Sequence, residues 1–262
     1  MKILTDVMYD EKNQLKMDIY QPEKSNGAVL IDIHGGGWFQ GDKTKDQDWA
    51  QIWADQGYLV LVPNYRLAPE FLYPTALDDV KNVYHWLKKS DYLEKQKIGV
   101  YGSSAGGNLA IELSLAFGLP AVSLSGIIQI EDWLAAHQDV TPQPKAAQVN
   151  NPNLASNLID QDGGDDRFYK WFVLNYAGNQ AEKIKDMSPL NRVSATAGPM
   201  FIANSLNELV PNEGVWLLEA ALAEVGVPVM TKFITGSAHA KGYLTEAQPY
   251  VELFFKQYLL KN

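Results

Sequence analysis

The sequence predicts an α/β protein with a mainly parallel central sheet, helices on both faces and an inserted cap. Two observations predict it. Short apolar runs rich in β-branched residues alternate with helical segments, an order typical of parallel sheets. Glycine-rich turns follow two of those runs, where α/β proteins place their ligand sites. We expect residues 1–262 to form one domain, with the cap at about 131–197.

Strand and helix signals in the first half follow that order. LKMDIYQP (15–22) alternates apolar and polar residues and ends at a proline, which favours a strand near a sheet edge. GAVLIDIHGGG (27–37) and GYLVLVPNYR (57–66) are apolar runs that favour buried strands. Apolar residues at helical spacing then predict a helix over residues 74–90.

The second half repeats the alternation. Residues 97–118 predict a strand, a sharp glycine-rich turn and a helix in succession. Residues 121–130, 198–205 and 227–235 predict further strands, and a helix over 212–226 ends at a glycine. Because a helix separates successive strands, these strands are expected to pair in parallel.

Residues 131–197 interrupt this rhythm with a long polar stretch and an aromatic-rich helical segment. A long insertion in a compact domain is often functional, and we expect this one to cover the carboxyl edge of the sheet as a cap. Two alternatives are open for its aromatic residues, lining a substrate pocket or packing against the sheet. The residues concerned are Trp133, Phe168, Tyr169, Trp171, Phe172 and Tyr176.

A G-x-S-x-G sequence, GSSAG at 102–106, lies between a predicted strand and a predicted helix. In this context it is typical of a nucleophile elbow, a strained turn that exposes the serine hydroxyl. Ser104 is therefore the candidate nucleophile. A phosphate-binding loop is a poorer interpretation, because neither a Walker lysine nor a G-x-G-x-x-G pattern is present.

The loop HGGGW follows an earlier predicted strand. Consecutive glycines let the backbone approach a substrate oxygen and point N–H groups at it. We expect the N–H groups of Gly36, Gly37 and Ala105 to form an oxyanion hole. His34 starts this loop and is expected to brace it rather than to catalyse.

One of the four histidines, His239, lies in a Gly/Ser loop after the last predicted strand. It is the candidate general base, since triads on this kind of sheet follow the chain order nucleophile, acid, histidine. It would take the Ser104 proton and return it to the leaving group. Of the other histidines, His85 lies in a predicted helix and His137 in the expected cap.

Taken together, these segments resemble the α/β-hydrolases of the carboxylesterase, hormone-sensitive-lipase-like and BD-FAE-like esterase group. The resemblance covers nearly the whole chain. It implies the α/β-hydrolase fold, hydrolysis of carboxylic esters, and a structural, non-catalytic pair between Arg66 and Asp79. The segments that carry it are HGGGW (34–38), PNYRLAPE (63–70), YPTALDDV (73–80), GSSAGG (102–107), SPLNRV (188–193), NELVP (207–211) and GSAH (236–239).

The resemblance leaves the acid behind His239 open. In this group the acid starts a D-x-L-V-P sequence, but here Asn207 stands at the first position and Glu208 at the second. The interpretation that we favour is that Glu208 orients the ring. Asn207 could instead orient it as a neutral amide, with a much slower reaction expected. A third alternative is a degenerate or modified, weakly active hydrolase.

Composition limits the other classes of function. A net charge of −9 argues against binding to nucleic acid or to anionic membranes. The absence of cysteine excludes disulfides and thiolate chemistry. No signal peptide and no membrane-spanning apolar run are found, so a cytoplasmic location is expected. We expect no metal and no cofactor, and the acidic loop at 160–166 lacks the spacing of a calcium loop.

The sequence thus predicts a serine carboxylesterase that hydrolyses short-chain, acetyl-type esters through an acyl-Ser104 intermediate. Two alternatives are open: an arylformamidase-like amide hydrolase, and a non-catalytic homologue that binds acyl ligands. The expected partner is a small-molecule ester, and a homo-oligomer is left open.

Overall fold

A central sheet organises the protein, and the computed structural model describes residues 1–93, 96–149 and 156–260. The sheet has the strands β1 Lys2–Asp10, β2 Leu15–Gln21, β3 Ala28–Ile33, β4 Leu59–Pro63, β5 Lys97–Ser103, β6 Ala121–Leu124, β7 Met200–Ser205 and β8 Val229–Ile234. Their spatial order is β1-β2-β4-β3-β5-β6-β7-β8. β2 pairs antiparallel with β1 and β4, and the other pairings between described strands are parallel.

Helices connect the strands and cover both faces of the sheet. Those of the described chain are α1 Gln47–Asp55, α2 Thr75–Lys89, α3 Ala105–Phe117, α4 Glu131–Ala136, α5 Ala146–Val149, α6 Asp166–Ala177, α7 Ala181–Met187, α8 Glu213–Glu224 and α9 Leu244–Phe255. Single 3-10 turns lie at Lys43–Asp46, Asp91–Leu93, Ser156–Leu158, Pro189–Arg192 and Ala240–Tyr243, and a π-helical turn, Lys256–Leu260, continues α9.

The central strand β3 shows why its sequence is an almost continuous apolar run. All six of its residues are buried, and only Asp32 among them is charged. Val29 and Ile31 belong to the core on one face of the sheet, whereas Leu30 belongs to the core on the other. A strand covered by helices on both faces is expected to be apolar at nearly every position rather than at alternate ones. The predicted α/β fold with a mainly parallel sheet is therefore confirmed.

Several elements differ from the sequence predictions, and α1 is one that the sequence did not predict. β1 was not predicted, because it lies mostly exposed at the sheet edge and is held by its pairing with β2. α9 was not predicted either. The strand expected over 121–130 ends at Leu124, and the next residue, Ser125, has a φ of 52°, outside the range of regular strand backbone.

The segment between β6 and β7 holds α4 to α7 and lies beside the carboxyl ends of the parallel strands. Part of the expected cap, residues 150–155, falls outside the described residues. Within the described chain, no helix combines the length and apolar character required to cross a bilayer.

Candidate active site

Ser104 stands on a strained turn between β5 and α3. Its φ of 54° and ψ of −122° are values that residues other than glycine rarely adopt. The turn has no room for neighbouring side chains, because a Cβ atom on Gly106 would lie 1.9 Å from the carbonyl oxygen of Ile33. A Cβ atom on Gly102 would lie 2.2 Å from the carbonyl oxygen of Gly106. The two glycines therefore permit the elbow that the sequence predicts.

The glycine loop after β3 lies beside this elbow. Gly36 has a φ of 117°, and its carbonyl oxygen accepts hydrogen bonds from the N–H groups of Phe39 and Gln40. A side chain on Gly36 would collide with the carbonyl oxygen of Gln40, at 2.1 Å. Gly37 also has a positive φ, of 57°. Ala105 is the first residue of α3, directly after Ser104.

His239 and Glu208 are in direct contact. The Nδ1 atom of His239 lies 2.5 Å from Oε2 of Glu208, and both side chains are buried. The other carboxylate oxygen, Oε1, accepts hydrogen bonds from the N–H of Ser205, at 2.8 Å, and from the hydroxyl of Ser125, at 2.9 Å. Both oxygens of the carboxylate are therefore engaged, and one faces the imidazole.

The backbone after β7 explains why the glutamate rather than the asparagine reaches the histidine. The N–H of Leu206 donates to the carbonyl of Ile234, at 2.9 Å, and the N–H of Asn207 donates to that of Gly236, at 3.0 Å. These two hydrogen bonds continue the pairing between β7 and β8 beyond Ser205, the last residue of β7. The side chain of Asn207 is exposed. Glu208 then turns inward, and its carboxylate folds back toward β7.

Two opposed effects determine the pKa of His239. Burial of the ring disfavours the charged imidazolium, whereas the hydrogen bond to Glu208 and the negative charge of that carboxylate favour it. The second effect prevails, so the pKa of His239 is raised above its ordinary value. A general base with this pKa is well matched to proton transfer near neutral pH.

Ser104 and His239 line one cavity, together with Gly36 and Gly37. Its lining includes both apolar and polar side chains. The apolar ones are Phe39, Ile159, Phe168, Phe172 and Leu209. The polar ones include Gln40, Lys45, Gln148, Asp160 and Lys241. The expected nucleophile, base and two glycines of the expected oxyanion hole thus open onto a single cavity.

The aromatic residues of the insertion divide between the two roles that the sequence left open. Phe168 and Phe172, one helical turn apart on α6, line the cavity. Tyr176 instead stacks on the buried Trp38, with ring centroids 4.8 Å apart. The ring of Trp133 packs against His137 and Tyr169. Trp171, which contacts Phe39 and Phe168, is only partly buried.

Gln161 is a site residue that the sequence analysis did not single out. Its side-chain oxygen accepts a hydrogen bond from the N–H of His239, at 3.1 Å, and its amide nitrogen donates to the carbonyl of the same residue, at 3.0 Å. Gln161, which belongs to the insertion, therefore holds the backbone of His239 at both its N–H and its carbonyl group. A single polar side chain in a polar loop carries no sequence pattern that would have revealed this contact.

Two acidic residues of the loop at 160–166, Asp160 and Asp165, form hydrogen bonds within the protein. Asp160 accepts hydrogen bonds from Lys145, at 2.7 Å, and Gln148, at 2.6 Å. Asp165 caps α6 by accepting from the N–H of Phe168, at 3.0 Å. Among the described residues, no group of three or more histidine, cysteine, aspartate or glutamate side chains is arranged to hold a metal ion.

The remaining expected residues lie away from the cavity. The ring of His34 is buried, stacks on Tyr65 and contacts the carbonyl of Gly35, at 2.8 Å. Burial lowers the pKa of His34. The pair that the resemblance implies is present, because Arg66 contacts both carboxylate oxygens of the buried Asp79. Neither residue lines the cavity that contains Ser104.

Two relatives and one solved structure are similar to this chain over most of its length. The chain is 26% identical to the ethyl acetate hydrolase of Pseudomonas putida over 243 residues, which are 86% of this chain and 70% of that protein. It is 25% identical to the versiconal hemiacetal acetate esterase of Dothistroma septosporum, over 89% of this chain and 73% of the relative. An esterase of Pyrobaculum calidifontis superposes with a TM-score of 0.73 at 20% identity, covering 98% of this chain and 86% of that one.

A family model described as the alpha/beta hydrolase fold matches residues 30–242, well over half of the chain. The match includes the glycine loop, the elbow with Ser104, and His239. With the strand order and the elbow geometry described above, it shows that this chain belongs to the alpha/beta hydrolase fold family.

Proposed function

We propose that this chain is a serine-dependent carboxylic ester hydrolase that acts on short acyl esters, acetates in particular. The observation that carries the proposal is the contact of His239 with Glu208 at the cavity that Ser104 also lines. The two relatives compared above are named for hydrolysis of ethyl acetate and of an acetate ester, which supports the same reaction class.

The first half of the reaction forms an acyl-enzyme. Ser104 Oγ attacks the ester carbonyl carbon while His239 takes the hydroxyl proton. The negative charge that develops on the carbonyl oxygen is stabilised by the N–H groups of Gly36, Gly37 and Ala105. His239 then gives its proton to the departing alcohol oxygen, the bond from carbon to that oxygen breaks, and the acyl group stays on Ser104.

The second half regenerates the serine. Water attacks the acyl carbon while His239 takes one of its protons, and the same N–H groups stabilise the second tetrahedral intermediate. The bond to Ser104 Oγ then breaks, the proton returns to that oxygen, and the carboxylic acid leaves. In both halves Glu208 fixes the orientation of the ring and stabilises the imidazolium that forms.

We further propose that residues 131–197 act as a cap within a single domain. Phe168 and Phe172 of α6 line the cavity, and so do Gln148 and Asp160. Aromatic side chains in the lining suit contact with an acyl or alkyl group. The insertion would therefore determine which esters fit, while β3, β5 and the loop after β8 carry the reacting groups.

The alternatives from the sequence gain no comparable support. The non-catalytic alternative depended on an asparagine in place of the acid, whereas a carboxylate, that of Glu208, contacts His239. No observation favours formamides over esters. Rates on p-nitrophenyl acetate and on a formanilide of similar size would decide between ester and amide hydrolysis.

Hydrolysis of p-nitrophenyl acetate by Ser104→Ala tests the proposal. We expect kcat to fall by about 10⁶, to the rate left by binding and the oxyanion hole alone. Ser90→Ala is a matched control, because it removes a hydroxyl at the end of α2 and should leave kcat unchanged. A Ser104→Ala protein that folds and keeps the wild-type kcat would overturn the proposed function.

A further inference from the structure

A second buried hydroxyl group lies behind the acid of the site. Ser125, the residue after β6, has its Oγ atom 2.9 Å from Oε1 of Glu208. The same Oγ lies 2.9 Å from the backbone nitrogen of Ala240, next to His239. Ser125 is fully buried. It therefore contacts both the acid and the loop that carries the base.

The proton positions in this cluster follow from the chemistry of its members. An ionised carboxylate only accepts hydrogen bonds, so the Ser125 hydroxyl must donate to Glu208. A backbone N–H only donates, so Ala240 must donate to the Ser125 oxygen. Each contact therefore has one assignment, and the hydroxyl hydrogen is directed at the carboxylate.

Tyr243 completes the cluster from the opposite side. Its hydroxyl lies 2.7 Å from Ser125 Oγ and 2.7 Å from the carbonyl oxygen of Ala203 on β7. Burial, and then the charge of Glu208, keep the pKa of Tyr243 well above its usual value, so the hydroxyl stays protonated. The Tyr243 hydroxyl donates to the Ala203 carbonyl, which can only accept, and its oxygen lies against Ser125 Oγ. Ser125 is thereby held in the rotamer that faces Glu208.

The backbone at Ser125 gives a second reason to assign it a role. Its φ of 52° lies in the left-handed region, which residues other than glycine adopt only at an energetic cost. A glycine would adopt this conformation without strain. The serine offsets this strain through contacts that a glycine cannot make. Its oxygen lies within hydrogen-bond distance of Glu208, Tyr243 and the backbone nitrogen of Ala240.

A glutamate needs such support more than an aspartate would. Its side chain has one more rotatable bond, so a fixed carboxylate loses more rotamer freedom. Without Ser125, the hydrogen bond from the Ser205 N–H would hold Oε1 by itself. Small displacements of groups around a reacting centre lower rates by large factors.

We propose that Ser125 and Tyr243 are positioning residues that hold the Glu208 carboxylate against His239. The inference rests on the proposed ester hydrolysis and adds two residues that act through the acid without touching substrate. Neither side chain lines the cavity that contains Ser104. Their loss should therefore change the rate of chemistry and leave substrate binding nearly unchanged.

Steady-state kinetics on Ser125→Ala, with p-nitrophenyl acetate as substrate, provide the first test. A hydrogen bond to a charged group is worth a factor of about 10–100, which we expect as the loss in kcat, with KM unchanged within about twofold. Tyr243→Phe should give a smaller loss in kcat, because Ser125 keeps its contact with Glu208. Wild-type kcat in both variants would overturn the inference.

Ser123→Ala is the matched control. It removes another buried hydroxyl from β6, two residues earlier, whose oxygen contacts no partner among the described residues. We expect wild-type kinetics from it. If Ser125→Ala fails to fold, Ser125→Gly removes the same hydroxyl and also relieves the positive φ.

A double-mutant cycle separates positioning from a general structural role. In a Glu208→Gln background, Ser125→Ala should lower kcat by less than about threefold, because the group through which it acts is gone. An equal loss in both backgrounds would show that Ser125 acts independently of Glu208, and would overturn the inference.

Ser104→Ala, measured alongside, separates the two proposals. Hydrolysis that survives Ser104→Ala overturns the proposed function. Hydrolysis that requires Ser104 and Glu208 but not Ser125 overturns only this inference.

Discussion

Two buried carboxylates, Asp79 and Glu208, have similar surroundings and different uses. Each side chain is 0% exposed, and each contacts a basic group, Arg66 at 2.6 Å and His239 at 2.5 Å. The Arg66 pair is closed off from the cavity, whereas His239 opens onto it. A buried pair of opposite charges is therefore not in itself a sign of catalysis.

The basic partner accounts for the difference. The contact with Asp79 raises the pKa of Arg66 further, so the guanidinium keeps its charge at every physiological pH. His239 can lose its proton near neutral pH, and its contact with Glu208 raises the pKa of the ring. One pair can only stabilise the fold, and the other can also transfer protons.

The largest effect should come from removing the charge of Glu208. Glu208→Gln keeps the size of the side chain but cannot stabilise the imidazolium, and we expect kcat for p-nitrophenyl acetate to fall by about 10⁴. Glu213→Gln makes the same chemical change at an exposed position at the start of α8. That control should retain wild-type kcat, and equal activity in the two variants would contradict the comparison.

The structural pair should instead affect stability. Arg66→Ala leaves the Asp79 carboxylate buried without its cation, at a cost of about 3 kcal/mol in the free energy of unfolding. Urea unfolding measures this loss, while kcat per folded molecule should stay at the wild-type value. Arg167→Ala, at an exposed position of α6, is the control, and a similar change in both variants would refute the role assigned to Arg66.

The pH profile should show the titration of His239. Only the neutral ring can accept the serine proton, so kcat/KM should fall as the pH drops through a pKa above about 6.5. In Glu208→Gln the favourable charge is gone and burial remains, so the acidic limb should move to lower pH. An acidic limb that moves to higher pH, or does not move, would contradict the effect assigned to Glu208 on the pKa of His239.

The smallest effect should come from Asn207→Asp. This change restores the residue that the resemblance leads one to expect, but the side chain is exposed and Nδ1 of His239 already contacts Glu208. We expect kcat to change by less than about threefold, as for other surface substitutions. A sharp rise in kcat would mean that the native site lacks an effective acid.

The sequence predicts those parts of the site whose conformation is determined by residues close to one another in the chain. The elbow around Ser104 and the turn at Gly36 require glycine for steric reasons within a few residues, so their sequence patterns are recognisable. The sheet could be predicted for a similar reason, since strands buried on both faces, such as β3, are apolar at nearly every position.

Tertiary contacts account for what the sequence left open. The choice between Asn207 and Glu208 depends on how far the pairing of β7 with the following loop continues, which no local pattern specifies. Ser125 and Gln161 reach the site from β6 and from the insertion, more than 75 residues before the histidine. Single polar residues at such distances along the chain give no periodic signal.

In the proposed reaction, Ser104 is acylated with the help of His239, which Glu208 holds in place. The most direct test of this step is rapid quenching of the protein with p-nitrophenyl acetate, followed by mass spectrometry of the acetylated peptide. We expect acetylation on Ser104, with a rate that falls by about 10⁴ in Glu208→Gln. Acetylation on another residue, or an unchanged rate in Glu208→Gln, would contradict it.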